Sequence, residues 1–287
     1  MSAAADFKNG IKPNWCPGCG HYGIHNAIAQ AVANTGLEPQ QVSVVSGIGC
    51  SGRISGYLYA YGFHALHGRA LPLAQGIKMG NRDLSVIACS GDGDAYAIGL
   101  GHTVHAIRRN LDITYIVMDN HVYGLTKGQT SPRSDIGFQT KTTPHGSTDA
   151  PLAALETALA AGATFVAQAF SLNLAELTGL IEQGLAHKGF AFINVFSPCV
   201  TFNKHNSYDW YKQHLTSLAT IDGYDPGDRL QAMATVMRHA GLVTGLVYQD
   251  KSRPDYQTAI GLGTAPLSQV AEAPDSGRLR QLLEAFR

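Results

Sequence analysis

A chain of 287 residues, 45% of them apolar, can enclose a substantial core and allows one large α/β domain or a domain with an appendage. Its 21 basic and 21 acidic residues leave a formal net charge of zero, which points to neither nucleic acid nor an anionic membrane as a partner. No apolar run approaches the roughly 20 residues of a membrane span, and the opening Met-Ser-Ala-Ala-Ala-Asp-Phe-Lys has no apolar signal segment, so the expectation is a cytoplasmic protein.

Residues 1–14 read as a loose arm. Trp15-Cys16-Pro17-Gly18-Cys19-Gly20-His21 then brings two thiols around a tight Pro-Gly turn, a spacing that suits zinc, an iron–sulfur cluster or a redox pair. An Ala-rich helix is expected over 21–34. The strand 42–45 runs into Ser46-Gly47-Ile48-Gly49-Cys50-Ser51-Gly52-Arg53, which puts Cys50 at the carboxyl edge of a sheet, where open α/β sheets hold their ligands. His67 lies in a turn beside Gly68 and Arg69, before another helix. A lone histidine is commonly structural, but its position between two candidate cofactor loops favours a role facing the cofactor.

The segment 86–123 organises the rest. A strand over 84–88 meets Ser90-Gly91-Asp92-Gly93-Asp94, a helix is expected over 95–109, and a second strand over 113–118 ends in Asp119-Asn120, the pattern of a parallel βαβ crossover. Gly91 and Gly93, lacking Cβ, let the backbone approach a bulky anion. A helix beginning after Gly93 turns free N–H groups toward that anion. Asp92 alone repels a phosphate, so a divalent cation between them is implied. Mg2+ takes a few hard oxygens together with phosphate oxygens, and Asn120 and the Val122 carbonyl can supply two more. Gly-Asp-Gly on its own also makes ordinary turns. With these flanking strands and Asn120, it resembles the thiamine-diphosphate motif, in which an Asp, an Asn and a backbone carbonyl hold the metal that grips the diphosphate.

A polar loop runs from Tyr123 to about Pro151, leaving a strand end where functional loops belong. Helix, strand, helix and strand follow over 152–161, 164–168, 174–187 and 190–196, and the last delivers Ser197-Pro198-Cys199 to another strand end. The fold class expected is α/β, a mostly parallel sheet flanked by helices. Beyond Tyr208 strand signals weaken apart from 242–248. Residues 1–208 are therefore read as the cofactor-binding domain and 209–287 as an appendage or partner-contacting region.

Five cysteines in a chain of this reading argue against a disulfide framework. Cys89, inside an apolar strand, reads as a small buried hydrophobe. Cys16, Cys19, Cys50 and Cys199 sit in Gly- or Pro-containing turns, where packing returns little, and three loops can bring them to one sheet edge. Four thiolates suit either a [4Fe–4S] cluster or a four-cysteine zinc site, and spacing does not separate the two.

In order along the chain, W-C-P-G-C-G-H, S-G-I-G-C-S-G-R, H-G-R-A-L-P, S-G-D-G-D, M-D-N-x-x-Y-G-L-T-K-G-Q-T-S-P and F-S-P-C-V-T resemble the β subunit of 2-oxoacid:ferredoxin oxidoreductases, nearest the two-subunit 2-oxoglutarate type. The resemblance runs from about Lys12 to Asn203, and more loosely to the C-terminus. It implies a thiamine-diphosphate-binding fold, with thiamine diphosphate, Mg2+ and one [4Fe–4S] cluster. Cys16, Cys19, Cys50 and Cys199 match the cluster ligands, and Asp92, Asn120 and Val122 the metal-binding positions. Ile48, Gly49, Cys50, Ser51, His67, Gly91, Gly93, Asp94, Gly124 and Leu125 match positions around the cofactor. Lys127 falls in the loop that meets the far end of the substrate. There it either pairs with the distal carboxylate of a dicarboxylic 2-oxoacid or is a solvated loop cation. His67 and Lys127 are the candidate catalytic side chains.

The activity implied is CoA-dependent oxidative decarboxylation of a 2-oxoacid to acyl-CoA (succinyl-CoA from 2-oxoglutarate) and CO2, with electrons leaving through the cluster to ferredoxin. No glutamate stands in a motif able to activate thiamine. In the family that carboxylate comes from the α subunit, which makes α an obligatory partner in an αβ or (αβ)2 assembly. Alternatives are pyruvate or broad 2-oxoacid use, a non-oxidative thiamine decarboxylase with a structural zinc, and an iron–sulfur electron-transfer module in which Gly-Asp-Gly is only a turn.

Overall fold

A computed structural model describes residues 3–263, 266 and 276–285 of the chain. The helices are α1 (His21–Asn34), α2 (Ala70–Gly80), α3 (Leu100–Arg109), α4 (Ala154–Ala160), α5 (Leu174–Ala186), α6 (Tyr208–His214), α7 (Arg229–Arg238), α8 (Tyr256–Ala259) and α9 (Ser276–Glu284). The strands are β1 (Val42–Ser46), β2 (Tyr61–His64), β3 (Ser85–Gly91), β4 (Ile113–Asp119), β5 (Val122–Tyr123), β6 (Gln129–Thr130), β7 (Phe165–Phe170), β8 (Phe190–Phe196), β9 (Thr216–Ser217) and β10 (Val243–Gln249).

Eight strands form one sheet in the order β2-β1-β3-β4-β8-β7-β10-β9. The pairs from β2 through β7 are parallel, and β10 runs antiparallel to β7. The parallel strands are apolar without alternation because both faces are covered; every residue of β4, β7 and β8 is buried. On one face, Ile24, Ile28 and Val32 of α1 and Leu177 and Ile181 of α5 pack on Val44, Ile87, Ile116 and Ile193. On the other, Leu71 of α2, Ile107 of α3, Leu155 of α4 and Val236 of α7 pack on Val45, Tyr115, Val117 and Phe192. Each such aliphatic side chain contributes roughly 1.5–3 kcal/mol when fully buried. Cys89, fully buried, behaves as the small hydrophobe expected of it.

Because the central strands are parallel, their carboxyl ends share one edge. The loops after β1, β3, β4 and β8 all emerge there, carrying Cys50, Asp92, Asn120 and Cys199.

Three expectations need correction. The arm is not loose: Phe7 is buried, its carbonyl accepts from Tyr59 N–H at 2.9 Å, and Asn9 Nδ2 donates to the Gly56 carbonyl at 2.7 Å. The helix expected over 95–109 is broken, with Asp94–Ile98 winding as a π turn before α3. Nor does the sheet end at residue 208. β10 pairs with β7, and Gln168 Nε2 donates to the carbonyls of Gly241 and Val243 at 2.6 and 2.7 Å. The region expected as an appendage thus supplies two strands and α7; residues 264–265, 267–275 and 286–287 fall outside the described residues. Among the described residues no helix is long and apolar enough to cross a membrane.

Candidate functional site

Two cavities open along the carboxyl edge. The first, about 250 Å³, is lined by Cys16, Cys19, Cys50 and Cys199, with Trp15, Arg53, Lys127 and Phe202 around them. Three loops meet there, and named bonds hold them. The Cys19 N–H donates to the Cys16 carbonyl at 3.0 Å and closes the Pro-Gly turn. The Gly20 N–H donates to the Pro198 carbonyl at 3.2 Å, joining that turn to the Cys199 loop. Trp15 Nε1–H donates to the Cys50 carbonyl at 2.7 Å, joining it to the β1 loop. Gly124 sits against the cysteines: a Cβ there would lie 3.6 Å from Cys199 Sγ and 3.7 Å from Cys50 Sγ.

The thiols feel one another. Burial pushes Cys19 up to about 12; the His21 backbone N–H pulls against that, and Cys199, Cys50 and Cys16 push further. Burial and the neighbouring Cys199 and Cys16 also raise Cys50. Four cysteines gathered at one cavity are a donor set suited to a cationic group, since thiolates bind metal and thiols do not. Among the described residues no three Cys, His, Asp or Glu side chains converge closely enough to hold a single metal ion.

The second cavity, about 100 Å³, is lined by each of the thirteen residues expected around the cofactor: Ile48, Gly49, Cys50, Ser51, His67, Gly91, Asp92, Gly93, Asp94, Asn120, Val122, Gly124 and Leu125. Tyr123 and Thr126, which stand in the same motif but were not among the expected cofactor positions, line it too. Gly91 and Gly93 matter here for close approach and not for a left-handed backbone. A Cβ on Gly93 would stand 2.1 Å from the Tyr123 ring, and one on Gly91 would stand 2.9 Å from Ser51 Oγ. The cradle therefore has room for an anion only because both residues are glycine.

Asp92 is 2% exposed. Burial and the neighbouring Asp119 push its carboxyl up, to about 7, a cost that a cation at this point removes. Asn120, at the end of β4, is also buried, and its Oδ1 accepts from the Val122 N–H at 3.1 Å. Asp119 is fully buried; burial pushes its carboxyl up, and the Arg133 guanidinium and His121 more than reverse this, holding it below the usual carboxylate range. Arg133 Nε donates to Asp119 Oδ2 at 2.8 Å.

Asp94 lines the cavity but spends its oxygens on the protein. Oδ1 accepts from Ile48 N–H at 3.1 Å, Gly68 N–H at 2.6 Å and His67 Nδ1 at 2.6 Å, while Oδ2 accepts from Ser90 Oγ at 2.5 Å. One carboxylate so ties three loops together. With Nδ1–H committed to Asp94, His67 has Nε2 free at the cavity. Lys127 lines the cysteine cavity and not the second one. It is exposed and left-handed, with φ 80°, in the hairpin turn between β5 and β6. Trp15, Arg53, Tyr123 and Ser131 lie within the quoted motifs but were given no role there, and Arg133 lies just past the last of them. The partners of Trp15, Tyr123, Ser131 and Arg133 lie far off in the chain, so the motifs alone do not say what these side chains do.

The parallel sheet, glycine–aspartate cradle and strand-end asparagine define a thiamine-diphosphate-binding domain. Residues 47–195 match the family described as thiamine pyrophosphate enzyme, C-terminal TPP binding domain, and residues 199–262 match the family described as the C terminal of the pyruvate ferredoxin oxidoreductase beta subunit. The β subunit of 2-oxoacid:ferredoxin oxidoreductase 2 from Aeropyrum pernix is 38% identical over 262 residues, covering 88% of this chain and 85% of that one. Its counterpart from Sulfolobus sp. is 40% identical, covering 94% of each. A solved 2-oxoglutarate:ferredoxin oxidoreductase from Magnetococcus marinus, with 2-oxoglutarate, coenzyme A and succinyl-CoA bound, superposes with TM-score 0.89 at 37% identity, covering 98% of this chain and 96% of its counterpart. The chain belongs to the β-subunit family of the 2-oxoacid:ferredoxin oxidoreductases.

Proposed function

We propose that this chain is the β subunit of a 2-oxoglutarate:ferredoxin oxidoreductase. With an α partner it converts the 2-oxoacid and coenzyme A to succinyl-CoA and CO2, and it passes electrons through a [4Fe–4S] cluster to ferredoxin. One observation carries this reading: the two cavities share a wall made of Cys50, Asn120, Gly124 and Leu125. A group oxidised in one cavity lies one loop away from an electron acceptor in the other.

Thiamine diphosphate supplies the electron sink that a 2-oxoacid needs in order to lose CO2. Asp92, Asn120 and the Val122 carbonyl would hold Mg2+ against its diphosphate, oxygen donors of the kind this ion selects. Asp94 fixes His67 so that Nε2 is the atom offered to the bound molecules. Lys127, at the rim of the neighbouring cavity, offers a cation to the distal carboxylate of a dicarboxylic 2-oxoacid. The relatives named 2-oxoglutarate oxidoreductase subunit KorB, from Mycobacterium tuberculosis (44% identical over 198 residues), and 2-oxoglutarate synthase subunit KorB, from Methanocaldococcus jannaschii (42% over 188), support the same substrate.

Cys16, Cys19, Cys50 and Cys199 would hold the cluster. A tetrahedral zinc, with Zn–S near 2.3 Å, needs thiolates about 3.8 Å apart. The choice of a cluster over structural zinc rests on the family to which the chain belongs.

Among the described residues no glutamate lines either cavity, so the carboxylate that activates thiamine comes from the α subunit and the β chain alone is inactive. The test is an anaerobic assay of the αβ complex with 2-oxoglutarate, pyruvate, coenzyme A and ferredoxin. Ferredoxin reduction that requires both 2-oxoglutarate and coenzyme A, absent with β alone, is expected. CO2 release with an aldehyde product and no reduced ferredoxin would overturn the reading in favour of a simple decarboxylase.

A further inference from the structure

We infer that Ser131 is a positioning residue for the metal-binding carboxylate: its hydroxyl holds one oxygen of Asp92 so that the other faces the cation. The inference rests on the cation site proposed above and adds a residue to it. Ser131 Oγ donates to Asp92 Oδ2 at 2.5 Å across 39 residues of chain. The direction of that proton is set by its surroundings. The Arg133 N–H donates to Ser131 Oγ at 3.2 Å, which leaves the single hydroxyl proton for Asp92. Asp92 Oδ1 accepts no hydrogen bond among the described residues and is the oxygen left for a metal.

Ser131 is itself held on every side. Its N–H donates to Ser134 Oγ at 2.9 Å, and Ser134 Oγ–H donates to the His121 carbonyl at 2.7 Å. His121 lies between Asn120 and Val122 in a left-handed backbone with φ 59°, a conformation that needs holding. Arg133 reaches Asp119 and the Leu152 carbonyl. The segment 131–134 therefore grips both sources of metal ligands at once: the Asp92 side chain through Ser131, and the turn carrying Asn120 and Val122 through Ser134. Arg133 pairs with Asp119, the neighbour of Asn120, and so offsets a second buried carboxylate beside Asp92. Outer partners of this kind orient metal ligands, and losing one typically lowers metal affinity about 10- to 100-fold.

The test uses the αβ complex stripped of divalent metal, with its iron retained. Mn2+ replaces Mg2+ and is titrated in the presence of thiamine diphosphate, free Mn2+ being read by electron paramagnetic resonance. Ser131→Ala is expected to weaken Mn2+ binding about 10- to 100-fold with iron content and thermal midpoint close to wild type, and Ser131→Thr, which keeps the hydroxyl, to restore most of it. Wild-type Mn2+ affinity in Ser131→Ala would overturn the inference, as would equal losses in Ala and Thr accompanied by loss of iron, the mark of a merely structural role. Asp92→Asn separates the two levels: if it too binds Mn2+ normally, the cation site itself is wrong, whereas loss in Asp92→Asn with none in Ser131→Ala removes only the role of Ser131.

Discussion

Lys127 is the residue proposed to set substrate choice. It sits on a hairpin turn in a backbone conformation that costs a non-glycine residue energy, and it lines the cysteine cavity. A charge-assisted bond of this kind contributes about 1.5–3 kcal/mol. Lys127→Met is therefore expected to raise the KM for 2-oxoglutarate about tenfold or more while leaving that for pyruvate nearly unchanged; steady-state kinetics on both substrates decide this, and an equal change for both would make Lys127 a solvated cation. Gly93 answers to sterics. Gly93→Ala drives a methyl into the Tyr123 ring, so thiamine diphosphate retention should fall sharply while iron content stays, as paired cofactor and iron analysis would reveal. A third prediction concerns acid stability. Burial lowers His187, which is 4% exposed and shares a hydrogen bond with Thr164 Oγ1 at 2.8 Å. A depressed histidine contributes its stability in full above its ordinary value of 6.5, and that contribution is lost as pH falls through the lowered one. His187→Asn should flatten the fall in thermal midpoint as pH drops below about 6.5; an unchanged slope would assign the acid lability to other groups.

At the scale of elements, the legible parts were those whose signal is local. Strands β3, β4 and β8 are continuous apolar runs bounded by turns, and the helix over 21–34 has the bounds expected of it. The glycine–aspartate turn was readable because close anion approach needs particular residue types at fixed spacing. What escaped depends on distance in the chain. The arm is held by Phe7 and Asn9 through bonds to residues some 50 positions on, and a polar N-terminal sequence carries no sign of them. The π turn at Asp94–Ile98 arises where Asp94 is pulled toward three loops, which no periodicity encodes. The edge strand β2 is exposed along its whole length, and the paired β5 and β6 span two residues each, so alternation marks none of them. Strand β10 was readable but its place in the sheet was not, since pairing with β7 is a matter of topology. A chain ending at residue 208 should accordingly expose β7, leave Gln168 without its partners and fail to give a soluble cooperative fold. A truncated chain that melts cooperatively would contradict this and restore the appendage view.

For the whole molecule, what matters is that one sheet edge collects four loops and so sets a cysteine-lined cavity against a diphosphate-sized one. The proposed redox role rests on their common wall. Among the described residues no glutamate lines either cavity, in keeping with the proposed need for an α partner. The most direct measurement is iron, acid-labile sulfide and zinc on anaerobically purified αβ complex. About four irons and four sulfides per β chain, lost when Cys50 or Cys199 is changed to Ser, are predicted. About one zinc per chain with no sulfide would contradict the redox role and leave a thiamine decarboxylase with a structural metal.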